Sequence, residues 1–315
     1  SSQIKAHQEY GGVVPFLAAR LHTKKLPPLV IKAIQDFREQ TSYHSFSAIA
    51  VTNEPGLEPA LYTGVNQANV LSTALDVPIY GINHLHGHIW SYLAPTEGNT
   101  ISLDEHRYPF LALVVSGGHT ILVLVHAFGN YEVLGQTIDD AAGEAFDKVA
   151  SMLNLGYPGG PVISQRAQDG NSEAINFPRP LSKQPNLNVS FSGLKTSVLY
   201  YLKEKGGVYH LSEQEINDIA ASFQQAVIDT LMIKVNRVLN KYDVQQLVLG
   251  GGVAANPELR KAMEQSAKKY RLPMQLPASH VTGDNALMIG IVAALAKQNA
   301  DKGDTYVRVN PSAGV

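Results

Sequence analysis

Asn83, His84, His86 and His88 are polar residues set in the first half of the largely apolar run INHLHGHIWSYLAP. On a helix, His84 and His88 are i and i+4 on one face, with Cβ atoms about 5–6 Å apart, and His86 points about 200° around the axis. That spacing lets two imidazoles share an ion and leaves the third out. A third ligand must then come from a distant part of the chain. The sequence has no cysteine, so the ligand has to be His, Asp or Glu. Asp284, in HVTGDNALMIG, follows Gly283 at the start of an apolar helical run. The helix dipole favours a carboxylate there whether it ligates or caps. His280 is the rival. Two histidines and one carboxylate leave open coordination positions and suit a divalent metal such as Fe(II) or Zn(II).

Two glycine-rich stretches offer backbone chemistry instead. LVLGGGVAANPELRKA reads as a buried strand ending in Gly250, Gly251 and Gly252, with Asn256 as N-cap and Pro257 as the first residue of the next helix. Such a turn is either an ordinary βα connection or a cradle for an anion or nucleotide. VVSGGHT, residues 114–120, places Ser116, Gly117, Gly118 and His119 between two apolar runs, the pattern of a tight hairpin with free N–H groups beside a hydroxyl and an imidazole. In DDAAGEAFDKVA, Glu144 and Lys148 are an i, i+4 ion pair, Asp139 or Asp140 is the expected cap, and Asp147 faces another side of the helix. Asp147 is either a solvated carboxylate or an acceptor for sugar hydroxyls.

The elements that must position these groups alternate. KLPPLVIKAIQDFREQ and PALYTGVNQANVLSTAL have helical periodicity, and FSAIAVTNEPGL and VPIYGI read as strands. The polar run around 99–107 is the expected domain boundary, followed by two strands joined through Ser116 to Gly118. Helices are expected over SEQEINDIAASFQQAVIDTLMIKVNRVLNKY and NALMIGIVAALAKQ. An α/β protein with two domains follows. The 315 residues carry 25 basic and 27 acidic side chains, a net charge of −2, and a pI near 6.6. No global positive field therefore announces a nucleic-acid partner, and any such contact must be local or shared with another subunit. The basic residues nearest the motifs are Lys24, Lys25, Arg179, Lys183 and Lys195. The absence of cysteine fits a reducing compartment. SSQIKAHQEYGGVVP has no apolar leader core, and no run of about 18 apolar residues follows. A cytoplasmic protein is expected.

Taken in order, HLHGH (the form HxxGH), LVVSGGHT, TIDDAAGEAFDKVA, YPGGP, FPRP, VSFSGLKT, GGGVAANPELR and TGDNALM resemble the TsaD (Kae-type) tRNA threonylcarbamoyltransferases, once called O-sialoglycoprotein endopeptidases. The resemblance runs from about Gln8 to near Val309. It implies an actin-like (ASKHA) two-lobed α/β fold: an N-terminal lobe over 1–107, a C-terminal lobe over 108–300 with an inserted subdomain near 156–209, and a terminal segment over 301–315. It also implies transfer of threonylcarbamoyl from threonylcarbamoyl-adenylate to N6 of adenosine 37 in tRNAs reading ANN codons. The family's metal ligands fall on His84, His88 and Asp284, and its substrate or nucleotide contacts on Val115, Ser116, Gly117, Gly118, His119, Asp147, Gly160 and Asn256. Implied partners are tRNA, a TsaB-like paralogue, a TsaE-like ATPase and an upstream adenylate synthase. No side-chain nucleophile is nominated.

The sequence departs from the family at His86, where many relatives have glutamate, at NEPGLEPAL in place of a more glycine-rich turn, and in lacking the family's opening strand, which is expected to be a truncation of a bacterial member. Two rival readings are a metallopeptidase and a non-catalytic nucleotide-binding scaffold. The first lacks the glutamate of H-E-x-x-H, since Leu85 stands there.

Overall fold

The computed structural model describes residues 3, 6–7, 14–43, 45–95 and 106–315. In chain order its elements are α1 (Pro15–Gln40), β1 (Ile49–Glu54), α2 (Glu58–Leu75), β2 (Ile79–Asn83), α3 (His84–Trp90), β3 (Phe110–Val115), β4 (Thr120–Ala127) and β5 (Asn130–Gln136). There follow α4 (Ala142–Met152), α5 (Gly159–Ala167), α6 (Ser192–Glu204), α7 (Glu213–Lys241), β6 (Gln246–Gly250), α8 (Pro257–Tyr270), β7 (Met274–Gln275) and α9 (Ala286–Gln298). The chain divides into two compact units, Ser1–Trp90 with Asn285–Val315, and Ser91–Asp284.

In the first unit, β1 and β2 pair in parallel from Ile49 with Ile79 to Glu54 with Asn83, with α2 as the crossover between them. Helix α1 begins ten residues before the expected start and runs through Pro27 and Pro28, both exposed, where the missing N–H groups cost backbone bonds without burying an orphan. Asn69, buried on α2, donates to the Val307 carbonyl and accepts from the Val307 N–H, both at 2.9 Å, and so holds the C-terminal tail against the unit. Val307 in turn packs with Val65, Ala68 and Ile79.

These contacts place the division differently from the expected domains. The run 99–105 lies outside the described residues, the first unit is left after Trp90, and it is rejoined at Asn285 rather than ending at 107. The physical reason is α9. Its sequence ALMIGIVAALAKQ is apolar on nearly every face, with Met288, Ile289, Ile291, Val292 and Leu295 buried, so it must be covered on more than one side. It finds that cover against α3, β1 and β2.

The second unit is built on a five-stranded mixed sheet in the order β5-β4-β3-β6-β7. β3, β4 and β5 are antiparallel neighbours, while β3–β6 and β6–β7 are parallel. β3 and β6 are buried at every position, which is how strands covered on both faces read. One core joins the sheet to the helices, with Phe146 and Phe223 edge to face at 5.2 Å between ring centroids. Residues 156–209, expected as an inserted subdomain, supply Ile163, Phe177, Val189, Phe191, Leu194, Val198 and Leu202 to that same core. Helix α7 opens with a capping box, the Ser212 and Glu215 side chains each accepting from the other's backbone N–H. Among the described residues no helix is long and apolar enough to cross a membrane.

Candidate metal centre and glycine-lined cradle

β2 runs directly into α3, and Asn83 makes the junction. Its side-chain oxygen accepts from the Leu85 N–H at 2.9 Å, capping α3, and its amide donates to the Gly314 carbonyl at 2.7 Å. Helix α3 buries Leu85, Ile89 and Trp90, which orients the polar face carrying the histidines. The His84 and His88 rings stand edge to face with centroids 4.7 Å apart, and His88 is fully buried. Gly87 lets α3 approach α9: a Cβ there would lie 3.0 Å from atoms of both Met288 and Ile289. That approach brings the pair to the start of α9, where the Asn285 side chain accepts from the Met288 N–H at 2.9 Å.

Asn285 is therefore the cap, and the capping role expected as the alternative for Asp284 is already filled. One ligand atom from each of His84, His88 and Asp284 lies within 4.8 Å of the others. Two donors at about 2.1 Å from a shared ion sit at most about 4.2 Å apart, so side-chain rotations close this set on a first-row metal. Two imidazoles and a carboxylate are also the right chemistry for it. His280, the rival ligand, lies in the 3-10 turn Ser279–Val281 outside the group, and so does His86. Burial lowers the His86 pKa to about 4, which leaves that ring neutral at pH 7. Helix α3 reads HLHGHIW, with leucine at 85 and no Asp or Glu, so it carries no carboxylate beside His84 to act as a peptidase base.

In the second unit, the two glycine-rich stretches end adjacent parallel strands, with Val114 paired to Gly250. The C-terminal ends of parallel strands are where open α/β sheets present backbone to ligands. Val115 is fully buried and closes β3. The turn from Ser116 to His119 is held by the Ser116 N–H on the His119 carbonyl at 2.8 Å and the His119 N–H on the Ser116 Oγ at 3.1 Å. A Cβ on Gly117 or Gly118 would meet nothing within 4 Å, so both glycines border open space. Beneath the turn the packing is tight. The Gly143 N–H donates to the Ser116 carbonyl at 3.2 Å, and a Cβ on Gly143 would come within 2.6 Å of that oxygen. Gly251, at φ 88°, would put a Cβ 2.3 Å from the Val115 carbonyl oxygen. Glycine is required there both by conformation and by contact.

Asn256 is the α8 cap, accepting from the Glu258 and Leu259 N–H groups at 3.0 and 3.1 Å, with Pro257 following it. Its amide donates to the Gln224 side chain at 2.6 Å, a structural tie that the sequence did not reveal. Asp147 is not the solvated carboxylate of the plainer expectation. It accepts from the Gly159 N–H at 2.6 Å at the start of α5, and burial raises its pKa against the lowering effect of that bond. Gly159 packs against the Asp147 backbone, whereas Gly160 faces open space.

Neither Asp139 nor Asp140 caps α4, whose N-cap is Ala141. Asp139 accepts from the Ser190 hydroxyl at 2.5 Å and the Phe191 N–H at 2.8 Å, fixing the entry to α6. Asp140 sits between Lys148 at 2.8 Å and Lys195 at 2.7 Å. Burial would raise its pKa, but the two ammonium groups outweigh that and lower it. The expected Glu144–Lys148 pair forms at 2.7 Å. Two of the cations nominated for nucleic acid are thus engaged: Lys195 by Asp140, and Arg179 by Asp229 at 2.6 Å.

The chain matches known proteins over most of its length. A family profile described as TsaD, tRNA N6-adenosine threonylcarbamoyltransferase, matches residues 1–291. A tRNA N6-adenosine threonylcarbamoyltransferase of Trichlorobacter lovleyi is 46% identical over 292 residues, covering 92% of this chain and 82% of the relative. One of the same name from Dictyoglomus turgidum is 41% identical over 314 residues, covering 99% and 89%. Among solved structures, T. kodakarensis HypF superposes with a TM-score of 0.58 at 15% identity, over 86% of this chain and 43% of that one, a likeness of fold. With the family profile spanning nearly the whole chain and these identities behind it, the chain belongs to the TsaD family of tRNA N6-adenosine threonylcarbamoyltransferases.

Proposed function

We propose that this chain transfers the threonylcarbamoyl group from threonylcarbamoyl-adenylate to N6 of adenosine 37 in tRNAs that read ANN codons, within an actin-like fold. The observation that carries the reading is the convergence of His84 and His88 with Asp284, about 200 residues apart in the chain, in a member of this family. In the transfer, the adenosine amine attacks the carbamoyl carbon and a C–N bond forms. The C–O bond to the phosphate breaks, AMP departs, and the amine loses a proton. The chain's part is largely positional, since holding two reactants in register supplies a large share of such a barrier reduction.

The Gly117 and Gly118 N–H groups of the Ser116 to His119 turn and the Gly250 to Gly252 loop receive the adenylate. Asp147 and Gly160 line the neighbouring α4–α5 corner, with the Asp147 carboxylate as acceptor for sugar hydroxyls. Asn256 supports the Gly250 to Gly252 loop from the start of α8. His84, His88 and Asp284 would hold one divalent ion, Fe(II) or Zn(II). When bound, that ion supplies Lewis-acid polarisation and a fixed anchor for the acyl group. The function calls for tRNA, an enzyme making the adenylate, and TsaB-like and TsaE-like helpers, in the cytoplasm.

The test is mass spectrometry of nucleosides from tRNA incubated with the chain, the helpers and the adenylate. Appearance of threonylcarbamoyl-adenosine dependent on this chain is expected. Its absence with adenylate and helpers intact overturns the reading.

A further inference from the structure

Helices α7 and α8 lie side by side and run in the same direction. Ser266 Oγ donates to the Asn236 side chain at 3.0 Å, and one turn later the Tyr270 hydroxyl donates to Asn240 at 2.8 Å. The constant offset of this register brings the two C-terminal ends together. What gathers there is positive charge. The segments 234–245 and 265–275 hold Lys234, Arg237, Lys241, Lys268, Lys269 and Arg271 against one carboxylate, Asp243, in a chain whose net charge is −2.

The inner two of these cations are spent on backbone. Lys234 is buried and donates to the carbonyls of Leu181 at 2.7 Å, Gln184 at 3.3 Å and Asn186 at 2.8 Å. Arg237 donates to the Ser182 carbonyl at 3.0 Å and to those of Gln184 and Asn186. Carbonyls satisfy the donors without cancelling the charge. The outer four, Lys241, Lys268, Lys269 and Arg271, are exposed, and none of them has a carboxylate within ion-pair distance among the described residues. Lys241 and Lys269 each stand 5.2 Å from the centre of a ring, Tyr242 and Tyr270 respectively. Helix dipoles favour cations in the last turn, but they do not account for Arg271 beyond the end of α8 or for so few balancing acids. Cations interleaved with aromatic rings are suited to a phosphodiester backbone, where ammonium groups meet phosphates and rings meet sugar or base.

We propose that the paired C-terminal ends of α7 and α8 form a docking surface for the phosphate backbone of the tRNA, remote from the reacting adenosine. This rests on the transferase reading above. Helix α8 starts at the Asn256 cap beside the cradle and is 14 residues long, so the surface lies about 20 Å along the helix from the cradle. Contacts that far away position the substrate without reading its sequence.

The experiment measures tRNA binding by the chain with its helpers as a function of salt, for the parent, for a Lys241→Gln/Lys268→Gln/Lys269→Gln triple variant, and for the corresponding triple arginine variant. Each lost phosphate contact removes roughly 0.7–0.9 from the slope of log K against log salt. The glutamine variant is expected to show a slope shallower by about 2 and binding weaker by about tenfold at low salt. The arginine variant should match the parent, and all three should melt alike and bind the adenylate equally. An unchanged slope and affinity in the glutamine variant overturns the surface while leaving the transferase reading intact. Loss of helper assembly at unchanged tRNA affinity assigns the patch to a protein partner and overturns it equally. A parent that binds no tRNA at all fails the transferase reading itself.

Discussion

The candidate metal centre and the glycine-lined cradle both follow the C-terminal ends of parallel strands, but they are made of different material. At the end of β2 the working groups are side chains: His84 and His88 on a seven-residue helix, completed by Asp284. At the ends of β3 and β6 the proposed contacts are backbone N–H groups, and side chains matter chiefly by being absent. A ligand-bearing site of the first kind loses its ion when one residue is replaced, with little demand on the fold. The second kind fails through packing where a glycine is pressed against a carbonyl oxygen, as Gly251 and Gly143 are, and through lost ligand space where a glycine faces the open, as Gly117 and Gly118 do.

That contrast breaks most readily at Gly251. Alanine there meets both a left-handed backbone at φ 88° and the Val115 carbonyl 2.3 Å from the new Cβ. A destabilisation of about 3 kcal/mol or more is expected in urea unfolding. Stability within about 0.5 kcal/mol of the parent would show that the loop shifts freely and that β6 does not fix it.

Gly118 sharpens the comparison from the other side. Its neighbour space is open, so Gly118→Ala should melt close to the parent while the added methyl occupies ligand space. Adenylate affinity measured by calorimetry is expected to fall about tenfold, or roughly 1.4 kcal/mol. Unchanged affinity would remove the Ser116 to His119 turn from the cradle.

Asp147 gives the smallest effect, and it depends on pH. Its folded pKa is raised, chiefly by burial. The fold therefore disfavours the charged form, and the contribution of Asp147 to stability is present below the unfolded carboxylate pKa, about 3.9, and declines as pH rises through the folded value. Asp147→Asn keeps an acceptor for the Gly159 N–H. It should match the parent near pH 3 and equal or slightly exceed its stability at pH 7, while losing affinity for the adenylate. A variant that loses stability specifically as pH rises would contradict the raised pKa.

The same contrast explains how much could be read from the sequence. Side-chain sites leave a signature in spacing, and the i, i+4 histidine pair selected its own members and excluded His86. The cap-and-proline pair Asn256–Pro257 was legible for the same local reason. Elements without strong periodicity were not. β5 was missed because NYEVLGQ is an edge strand with most of its residues at least partly exposed, and α5 because it opens on Gly159 and Gly160. Long-range ties were invisible as well: Asp139 to the entry of α6, Asn256 to Gln224, and the tail to Asn69, each joining residues whose proximity only the fold creates. The domain division moved for that reason. An apolar helix at 286–298 does not announce which unit will cover it.

The measurement that bears most directly on the central claim is metal content per chain in the parent and in the His84→Ala, His86→Ala, His88→Ala and Asp284→Asn variants, purified alike and compared with their melting curves. About one divalent ion per chain is expected in the parent and in His86→Ala, and almost none in the other three, all of them folded. Full occupancy in His88→Ala or Asp284→Asn, or loss of the ion in a folded His86→Ala, would contradict a centre built from His84, His88 and Asp284.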